Sequence, residues 1–412
     1  MRITTVFRRF LRVQETIVES VDVAPEGLYL QVRPRWRSPR CGCCGRKAAG
    51  YDRAEARAWR HLSLGQMSVH LIYAPRRVDC GRCGVKGEAL PWAKGNTRFT
   101  LEFEELAAYL TQVTDKTKVT ELMGIAWQTV GSIVERVVAR NLDPGRLDGL
   151  RSIGVDEFSY RKRHRYLTIV VDHDRKRVIW AAEGKSAETL QKFFAELGPT
   201  RSGNLKNVTI DMSEAYVKAV TAAAPQAKII FDRFHVQRLA SDALDEVRRS
   251  MVRELDDQEE ASAIKGTRFT LLKNPWNLTR SQAQKLSRVQ ATNKRLYRGY
   301  LLKETLARAL DYVQPARAEK TLREWLGWAS RSKLKPFVKT ARTVRKHFDG
   351  ILAYVKERLT NGFTEGINTK LRMITRRAFG FHSAASLVAM LFLTCGGITL
   401  APPLPSTHPQ VP

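Results

Sequence analysis

The sequence predicts a multidomain α/β protein, and three of its features carry that prediction. A doubled C-x2-C spacing in the first quarter indicates a small metal-bound domain. Residues 152–232 contain five apolar, β-branched segments of the kind that form strands. The 129 residues between His235 and Glu365 are rich in helix formers and in lysine and arginine, which is typical of an all-helical insertion.

Composition indicates a polyanionic partner. The chain has 412 residues, enough for two or three domains, and a formal net charge of +29 that is spread along its length. Such a field attracts nucleic acid more commonly than any other polyanion. A membrane is the weaker candidate, because the most apolar run, Ser386 to Leu400, is short for a span and contains two glycines. We expect a buried helix there, no membrane partner, and a cytoplasmic protein without a secretory leader.

Residues 1–98 are expected to contain N-terminal strands and a zinc ribbon. Alternating apolar residues up to residue 32 predict a small sheet, and two C-x2-C knuckles then enclose 35 residues that include a predicted hairpin from Leu62 to Val78. Four thiolates in this arrangement can hold a structural Zn(II) tetrahedrally, whereas free or redox thiols are the alternative. Cys43 is expected to be a bystander and Cys395 a core residue. The predicted zinc ligands are Cys41, Cys44, Cys80 and Cys83.

A tryptophan among four arginines precedes the first knuckle. Basic side chains beside a zinc ribbon suit phosphate contact, and a solvated basic face is an equally open interpretation. The residues are Arg33, Arg35, Trp36, Arg37 and Arg40.

Residues 99–141 are expected to form a DNA-binding helix-turn-helix. A helix capped by Thr100 precedes two short amphipathic segments that are separated by Gly124. Helical hairpins of this kind also occur in proteins that never touch DNA, but a zinc ribbon and a basic chain around this one favour DNA binding. The second helix would present Gln128, Ser132 and Arg136 outward.

Two predicted strands of residues 150–236 end in an acid, the first at Asp156 and the fourth at Asp211. A carboxylate there is costly to place unless it meets a cation, although a single aspartate is more often a turn or capping residue. Three antiparallel strands, a helix, two more strands with helices and a closing helix follow the ribonuclease-H-like order, in which the first and fourth strands are neighbours. Both acids would therefore meet at one sheet edge, where Glu365 from residues 359–400 could join them.

Three carboxylates suit two hard cations, Mg(II) or Mn(II), which can support in-line phosphoryl displacement when about 3.5–4 Å apart. The acids nearby have other interpretations. Glu157 is expected to point to the opposite face of its strand as a supporting salt-bridge partner, and Asp172 and Asp174 to be turn acids.

The remaining segments are a helical insertion at residues 237–358 and a tail. Tryptophans of the insertion are more often core than base-stacking residues, and its basic outer face is expected to hold DNA. The proline-rich residues 401–412 are predicted to be disordered. The tryptophans are Trp276, Trp325 and Trp328.

Four stretches together resemble the bacterial insertion-sequence transposases of the ISL-three family, which belong to the DDE class. The resemblance covers nearly the whole chain, since that family also has a zinc ribbon and a helix-turn-helix before its catalytic domain. It implies catalytic, metal-binding roles for Asp156, Asp211 and Glu365, and it maps the family's Asp-x-x-His pair onto Asp232 and His235. The stretches are GVDEFSYRKRHRYLTIVVD, TIDMSEAY, FDRFHV and NGFTEGINTKLRMITRRAFGF.

The resemblance implies a transposase that binds the terminal inverted repeats of double-stranded DNA and performs metal-dependent strand cleavage and transfer, as a homo-oligomer on paired ends. A catalytically silent DNA-binding regulator or domesticated transposase is the alternative, and a nuclease for RNA or Holliday junctions on the same fold is a third. His235 is equally compatible with a packed histidine. Three arginines follow Glu365, and we interpret them as phosphate contacts; a solvated helix face is the alternative interpretation. They are Arg372, Arg376 and Arg377.

Overall fold

In the computed structural model the chain divides into two compact units, Met1–Leu142 with Phe392–Pro412, and Asp143–Leu391. The predicted disordered tail, apart from Ala401, lies outside the described residues. The structure describes residues 3–11, 13–161, 165–359, 362–378, 381 and 383–401.

The first unit begins with a helix that the sequence pattern did not predict, α1 (Ile3–Leu11). Two sheets follow, one of four strands in the order β1-β2-β5-β4 and one of three strands in the order β3-β6-β7. Their strands are β1 (Thr16–Ala24), β2 (Gly27–Pro34), β3 (Ala49–Arg53), β4 (Arg57–Leu64), β5 (Met67–Tyr73), β6 (Arg76–Cys80) and β7 (Gly84–Gly87).

The hairpin expected from Leu62 to Val78 lies earlier in the chain. It consists of β4 and β5, which turn at Gly65, where φ is +61° and a residue with a side chain would be strained. This hairpin belongs to the four-stranded sheet, whose core contains Trp59 packed edge to face on Trp92 with ring centroids 5.8 Å apart. The cysteine knuckles therefore belong to the smaller sheet.

Helices α2 (Leu101–Val113), α3 (Lys116–Met123) and α4 (Trp127–Asn141) follow. The Thr100 hydroxyl accepts a hydrogen bond from the Phe103 amide and caps α2 as predicted. Gly124 ends α3 in the left-handed conformation, with φ of +59°, and so permits the tight turn into α4.

The second unit contains a five-stranded sheet in the order β10-β9-β8-β11-β12. Strands β8, β9 and β10 are antiparallel, while β11 pairs in parallel with both β8 and β12. This is the predicted ribonuclease-H-like order. The strands are β8 (Ser152–Arg161), β9 (Arg165–Asp172), β10 (Arg177–Glu183), β11 (Asn207–Ile210) and β12 (Lys228–Phe231).

Helices connect and cover this sheet. The Ser186 hydroxyl caps the first of them as expected, and Gly198 ends it. Those between the strands are α5 (Ala187–Leu197), α6 (Pro199–Ser202) and α7 (Glu214–Ala223).

A long all-helical segment follows β12, as predicted, and shares one apolar core with the sheet. Trp325 is buried and its indole donates to the Leu302 carbonyl, but Trp276 is 72% exposed, contrary to the expectation of a core residue. A short 3-10 turn (Pro275–Asn277) holds Trp276. The helices are α8 (Arg233–Glu254), α9 (Gln258–Lys265), α10 (Arg268–Leu272), α11 (Arg280–Thr292), α12 (Lys294–Asp311), α13 (Pro315–Arg331), α14 (Lys335–Lys346) and α15 (Phe348–Glu357).

Two further helices complete the chain, α16 (Gly362–Arg377) and α17 (Ala384–Cys395). Helix α16 packs against β8. Helix α17 forms within the apolar run that was predicted to be helical, and Cys395 is buried. Among the described residues, no helix combines the length and apolar character that crossing a membrane requires.

Candidate functional site

The pairing of β8 with β11 brings two acids together. The two strands run in parallel with Gly154 opposite Thr209, so Asp156 and Asp211 each come two residues after that pair. Burial raises the pKa of the Asp156 carboxyl, and the negative charge of Asp211 raises it further. The prediction that the first strand ends at Asp156 is wrong, because β8 continues to Arg161 and Asp156 pairs with Ile169 within it. The two carboxylates lie where the pairing of β8 with β11 ends, close enough for the charge of Asp211 to act on Asp156.

Helix α16 contributes a third acid. Glu365 lies in its first turn, and the helix packs against β8. The pKa of Glu365 is raised by desolvation and by the charges of Asp232 and Asp156. The Glu365 side chain is exposed, so the raised pKa also reports the nearby negative charges of Asp232 and Asp156. The structure thus groups Glu365 with the acids of the sheet edge.

An amide holds the first acid in place. The Asn368 side-chain N–H donates to Asp156 Oδ2 at 2.7 Å, and the Glu157 amide donates to Asp156 Oδ1 at 2.8 Å. Asn368 lies one turn after Glu365 and is 9% exposed. Its amide oxygen is buried and has no hydrogen-bond partner among the described residues. Asn368 was not among the predicted site residues; its i+3 spacing from Glu365 puts the two residues on one face of the helix but does not reveal the contact with Asp156.

Asp232 and His235 lie just after the fifth strand, because β12 ends at Phe231. Asp232 is buried and caps α8 by accepting a hydrogen bond from the Phe234 amide, which places His235 in the first turn of that helix. His235 is half-buried, and its charge lowers the pKa values of Asp156 and Glu365. The histidine therefore faces the acids and is not enclosed in the core.

Glu157 has no salt bridge among the described residues, in contrast to the prediction of a salt-bridge partner. Burial raises the pKa of its carboxyl, whereas the nearby Tyr216 hydroxyl and the charge of Lys185 lower it. Tyr216 is buried and its hydroxyl lies 2.9 Å from Thr168 Oγ1. The charge of Asp211 also raises the pKa of Glu157. Asp172, by contrast, is the predicted turn acid, since it accepts from the backbone of the following turn.

The chemistry of this donor set fits hard divalent cations. Asp156, Asp211 and Glu365 offer only oxygen ligands, and the amide oxygen of Asn368, which has no hydrogen-bond partner among the described residues, is a further one. The ligand atoms of the three acids do not all lie within 4.8 Å of one another, as those of a closed metal site would. Within the described chain, only the four cysteines form such a group. Such a spread suits an open site that shares its cations with a substrate.

The cysteine group lies at the three-stranded sheet, at the turns before β3 and between β6 and β7. Left-handed Gly45 and Gly84 follow the two knuckles and allow the tight turns. Backbone N–H groups of Arg82 and Cys83 lower the pKa of Cys80 to about 7, which favours the metal-binding thiolate. The cluster of Cys41, Cys44, Cys80 and Cys83 fits tetrahedral zinc, while Cys43 is exposed and outside it.

Comparison with known families decides what these features belong to. A family model described as the transposase of the ISL3 type matches residues 153–391, a model for the helix-turn-helix domain of transposase family ISL3 matches residues 88–138, and a model for the zinc finger of transposases IS204/IS1001/IS1096/IS1165 matches residues 37–83. The chain belongs to the ISL3 (ISL-three) transposase family.

Two relatives agree with this assignment. The chain is 38% identical over 445 residues to the transposase for insertion sequence element IS1557 of Mycobacterium tuberculosis, with 100% of both chains covered. It is 30% identical over 358 residues to the transposase for insertion sequence element IS1001 of Bordetella parapertussis, with 86% of this chain and 88% of the relative covered. The predicted family, zinc ribbon, helix-turn-helix and transposase domain are therefore confirmed.

The helix-turn-helix of this ISL3 transposase presents a smaller polar face than expected. Gln128 and Ser132 are exposed on α4, but Arg136 is half-buried and its guanidinium donates to Glu104 at 2.7 Å. Glu104 is fully buried and also bonds Arg140 and Thr97. A buried carboxylate needs cationic partners, so Arg136 supports the fold instead of facing outward.

The arginines that follow Glu365 lie along α16 of this transposase. Arg372 and Arg376 are exposed, and Arg377 is half-buried. Buried Leu371 and Ile374 lie on the opposite face and anchor the helix. Two of the three predicted phosphate contacts are thus accessible to a polyanion.

Loss of one thiolate is expected to empty the cysteine cluster. Cys80→Ser should lose most of its zinc and lower the thermal unfolding temperature, because a structural zinc site contributes directly to folding free energy. Cys43→Ser is the matched control and should keep both properties. Metal analysis by atomic emission and thermal unfolding by circular dichroism measure the two effects. Equal zinc contents in the two variants would contradict the assignment.

Proposed function

We propose that this transposase binds the terminal inverted repeats of its element and cuts and transfers DNA strands at a site formed by Asp156, Asp211 and Glu365. The observation that carries the proposal is the parallel register of β8 and β11, which sets two acids side by side at the edge that α16 supplies with a third. Two divalent cations, Mg(II) or Mn(II), when bound there, supply the charge that activates a water or a 3′-hydroxyl and stabilises the leaving oxygen of an in-line displacement.

The three acids hold the cations and set the pH range of the reaction. Burial and like charge raise the pKa values of Asp156 and Glu365, and both groups must be deprotonated to act as ligands. Acidification therefore protonates them at a higher pH than it would protonate exposed carboxylates. We expect activity to fall on the acidic side earlier than ordinary aspartate and glutamate residues would dictate.

His235 and Asp232 support the acids. The charge of His235 acts on Asp156 and Glu365, which favours an active-site role over a packed histidine. A protonated His235 offsets part of the negative charge, and a neutral one can move a proton at the reacting oxygen. Asp232 fixes the first turn of α8 that carries the histidine.

DNA would be held by separate surfaces of the chain. Gln128 and Ser132 on α4 are exposed for base contact in the major groove, and Arg372 and Arg376 on α16 for phosphate contact close to Glu365. Paired ends imply a homo-oligomer on double-stranded DNA. The proposed DNA partner and the bacterial relatives support the expectation that this work takes place in the bacterial cytoplasm.

Strand cleavage tests the proposed role of the acids. Asp156→Asn, Asp211→Asn and Glu365→Gln are each expected to lower Mg(II)-dependent cleavage of DNA that carries both element ends by about 10²–10³-fold or more, since each removes an essential charge from the reacting centre. Binding of the same DNA should remain within about twofold of wild type. A wild-type protein that binds the ends and never cuts them would instead be a catalytically silent regulator.

Asn368 is expected to act as a positioning residue. Asn368→Ala removes the 2.7 Å bond to Asp156 and should lower cleavage about 10–100-fold, as loss of a residue that orients a metal ligand typically does. It should also raise the Mg(II) concentration for half-maximal cleavage, a change that a purely structural role would not produce. Thr369→Ala on the exposed side of the same turn is the control and should match wild type. An unchanged Mg(II) dependence in Asn368→Ala would show that the contact does not orient Asp156.

A further inference from the structure

A cavity of about 310 Å³ lies in the first unit, away from the cysteine cluster's ligands. The end of β2 and the segment after it form one wall, and the ends of β3 and β5 with the start of β6 form the other. Four arginines and one tryptophan line it: Arg33, Trp36, Arg37, Arg53 and Arg76. Neither the helix-turn-helix nor the carboxylate site uses these residues.

Two of the four guanidinium groups have carboxylate partners. Arg33 Nε donates to Glu19 at 2.7 Å, and Arg76 forms a bidentate pair with Glu88 at 2.9 and 3.1 Å. Glu88 is buried and also accepts a hydrogen bond from the Tyr73 hydroxyl at 2.7 Å, so both of its carboxylate oxygens already have hydrogen-bond donors. These two arginines are therefore part of the wall of the cavity.

The other two carry unbalanced charge. Arg37 and Arg53 are both exposed, and no acidic side chain in the described part of the chain pairs with either of them. Two positive charges that face one cavity repel each other and favour an anion between them. Once the ion pairs of Arg33 with Glu19 and of Arg76 with Glu88 are set aside, the cavity keeps two positive charges that no carboxylate balances among the described residues.

Trp36 forms part of the wall of the cavity. The guanidinium of Arg40 lies 5.5 Å from the centre of its ring. The indole Nε1 is buried and has no hydrogen-bond partner among the described residues. Because that N–H is buried, Trp36 contributes its ring to the wall, and the donors that a ligand can reach are the guanidinium groups.

We propose that this cavity, hereafter the Trp36 pocket, binds a backbone phosphate of DNA, with Arg37 and Arg53 as the two charged donors. The size of the cavity accommodates a phosphate with its attached sugar, and its positive charge favours an anionic ligand. The proposal rests on DNA binding by this transposase and is independent of the carboxylate chemistry, because its readout is binding and not cleavage. It gives the zinc-ribbon unit a defined contact to the duplex.

The salt dependence of DNA binding tests this pocket. Full-length, zinc-loaded protein is titrated with a labelled mixed-sequence duplex over a range of NaCl concentrations, and log Kd is plotted against log salt concentration. Arg37→Ala and Arg53→Ala should each weaken binding and reduce the slope by about 1, because each removes one phosphate contact. Trp36→Phe keeps an aromatic ring in the wall and removes no positive charge, so it should retain the wild-type slope.

Two controls separate a pocket from a diffuse basic surface. Arg35→Ala removes an exposed arginine of the same segment that lies outside the cavity and near Glu15, and it should leave the slope unchanged. Arg37→Lys keeps the charge and should retain the wild-type slope. Zinc content and unfolding temperature equal to wild type exclude misfolding. Equal slope losses in Arg35→Ala and Arg37→Ala would overturn the proposal, as would unchanged slopes in Arg37→Ala and Arg53→Ala. The proposal would also be overturned if the pocket substitutions weakened binding to duplex RNA of the same sequence more than binding to DNA.

Discussion

Burial of carboxylates that lie close to one another is the constraint on which the candidate site of the second unit depends. The parallel pairing of β8 with β11 brings Asp156 close to Asp211, and α16, which packs against β8, carries Glu365. Burial, with neighbouring negative charges as a further cause, raises the pKa values of Asp156 and Glu365. Positive charge bound at this place would offset that cost.

The chain offsets part of this cost itself. His235 and the amide of Asn368 both lower the pKa of Asp156, one through charge and the other through a hydrogen bond. The remaining negative charge is a local exception in a chain of net charge +29. The positive charge of the chain would attract the proposed DNA substrate, and cations between its phosphates and the carboxylates would offset the repulsion at the acids.

Local patterns predicted much of this structure, because the signals were local. The caps at Thr100 and Ser186, the break at Gly124 and the cysteine spacing depend on residues close in sequence, and each appears as expected. Strand order then placed two acids on neighbouring strands. The hairpin of β4 and β5 was misplaced, since its turn is set by Gly65 and not by the composition of the segment.

Features that depend on distant contacts could not be predicted. The bond between Asn368 and Asp156 joins residues 212 positions apart, and Arg136 turns inward because Glu104 is buried on another helix. Glu157 was expected to form a salt bridge, but alternation gives only the face of a strand and not the neighbours, which here include Tyr216 and Lys185. Exposed Trp276 shows the same limit, since composition does not reveal which tryptophans the helical segment covers.

Counting the cations at the acid edge tests the central claim most directly. Electron paramagnetic resonance of free Mn(II), during titration of the zinc-loaded protein on DNA, measures how many ions each chain takes up. The account predicts about two Mn(II) ions per chain, and a clear loss of that uptake in Asp156→Asn with zinc unchanged. Identical Mn(II) uptake in wild type and Asp156→Asn would show that the three acids are not a metal site.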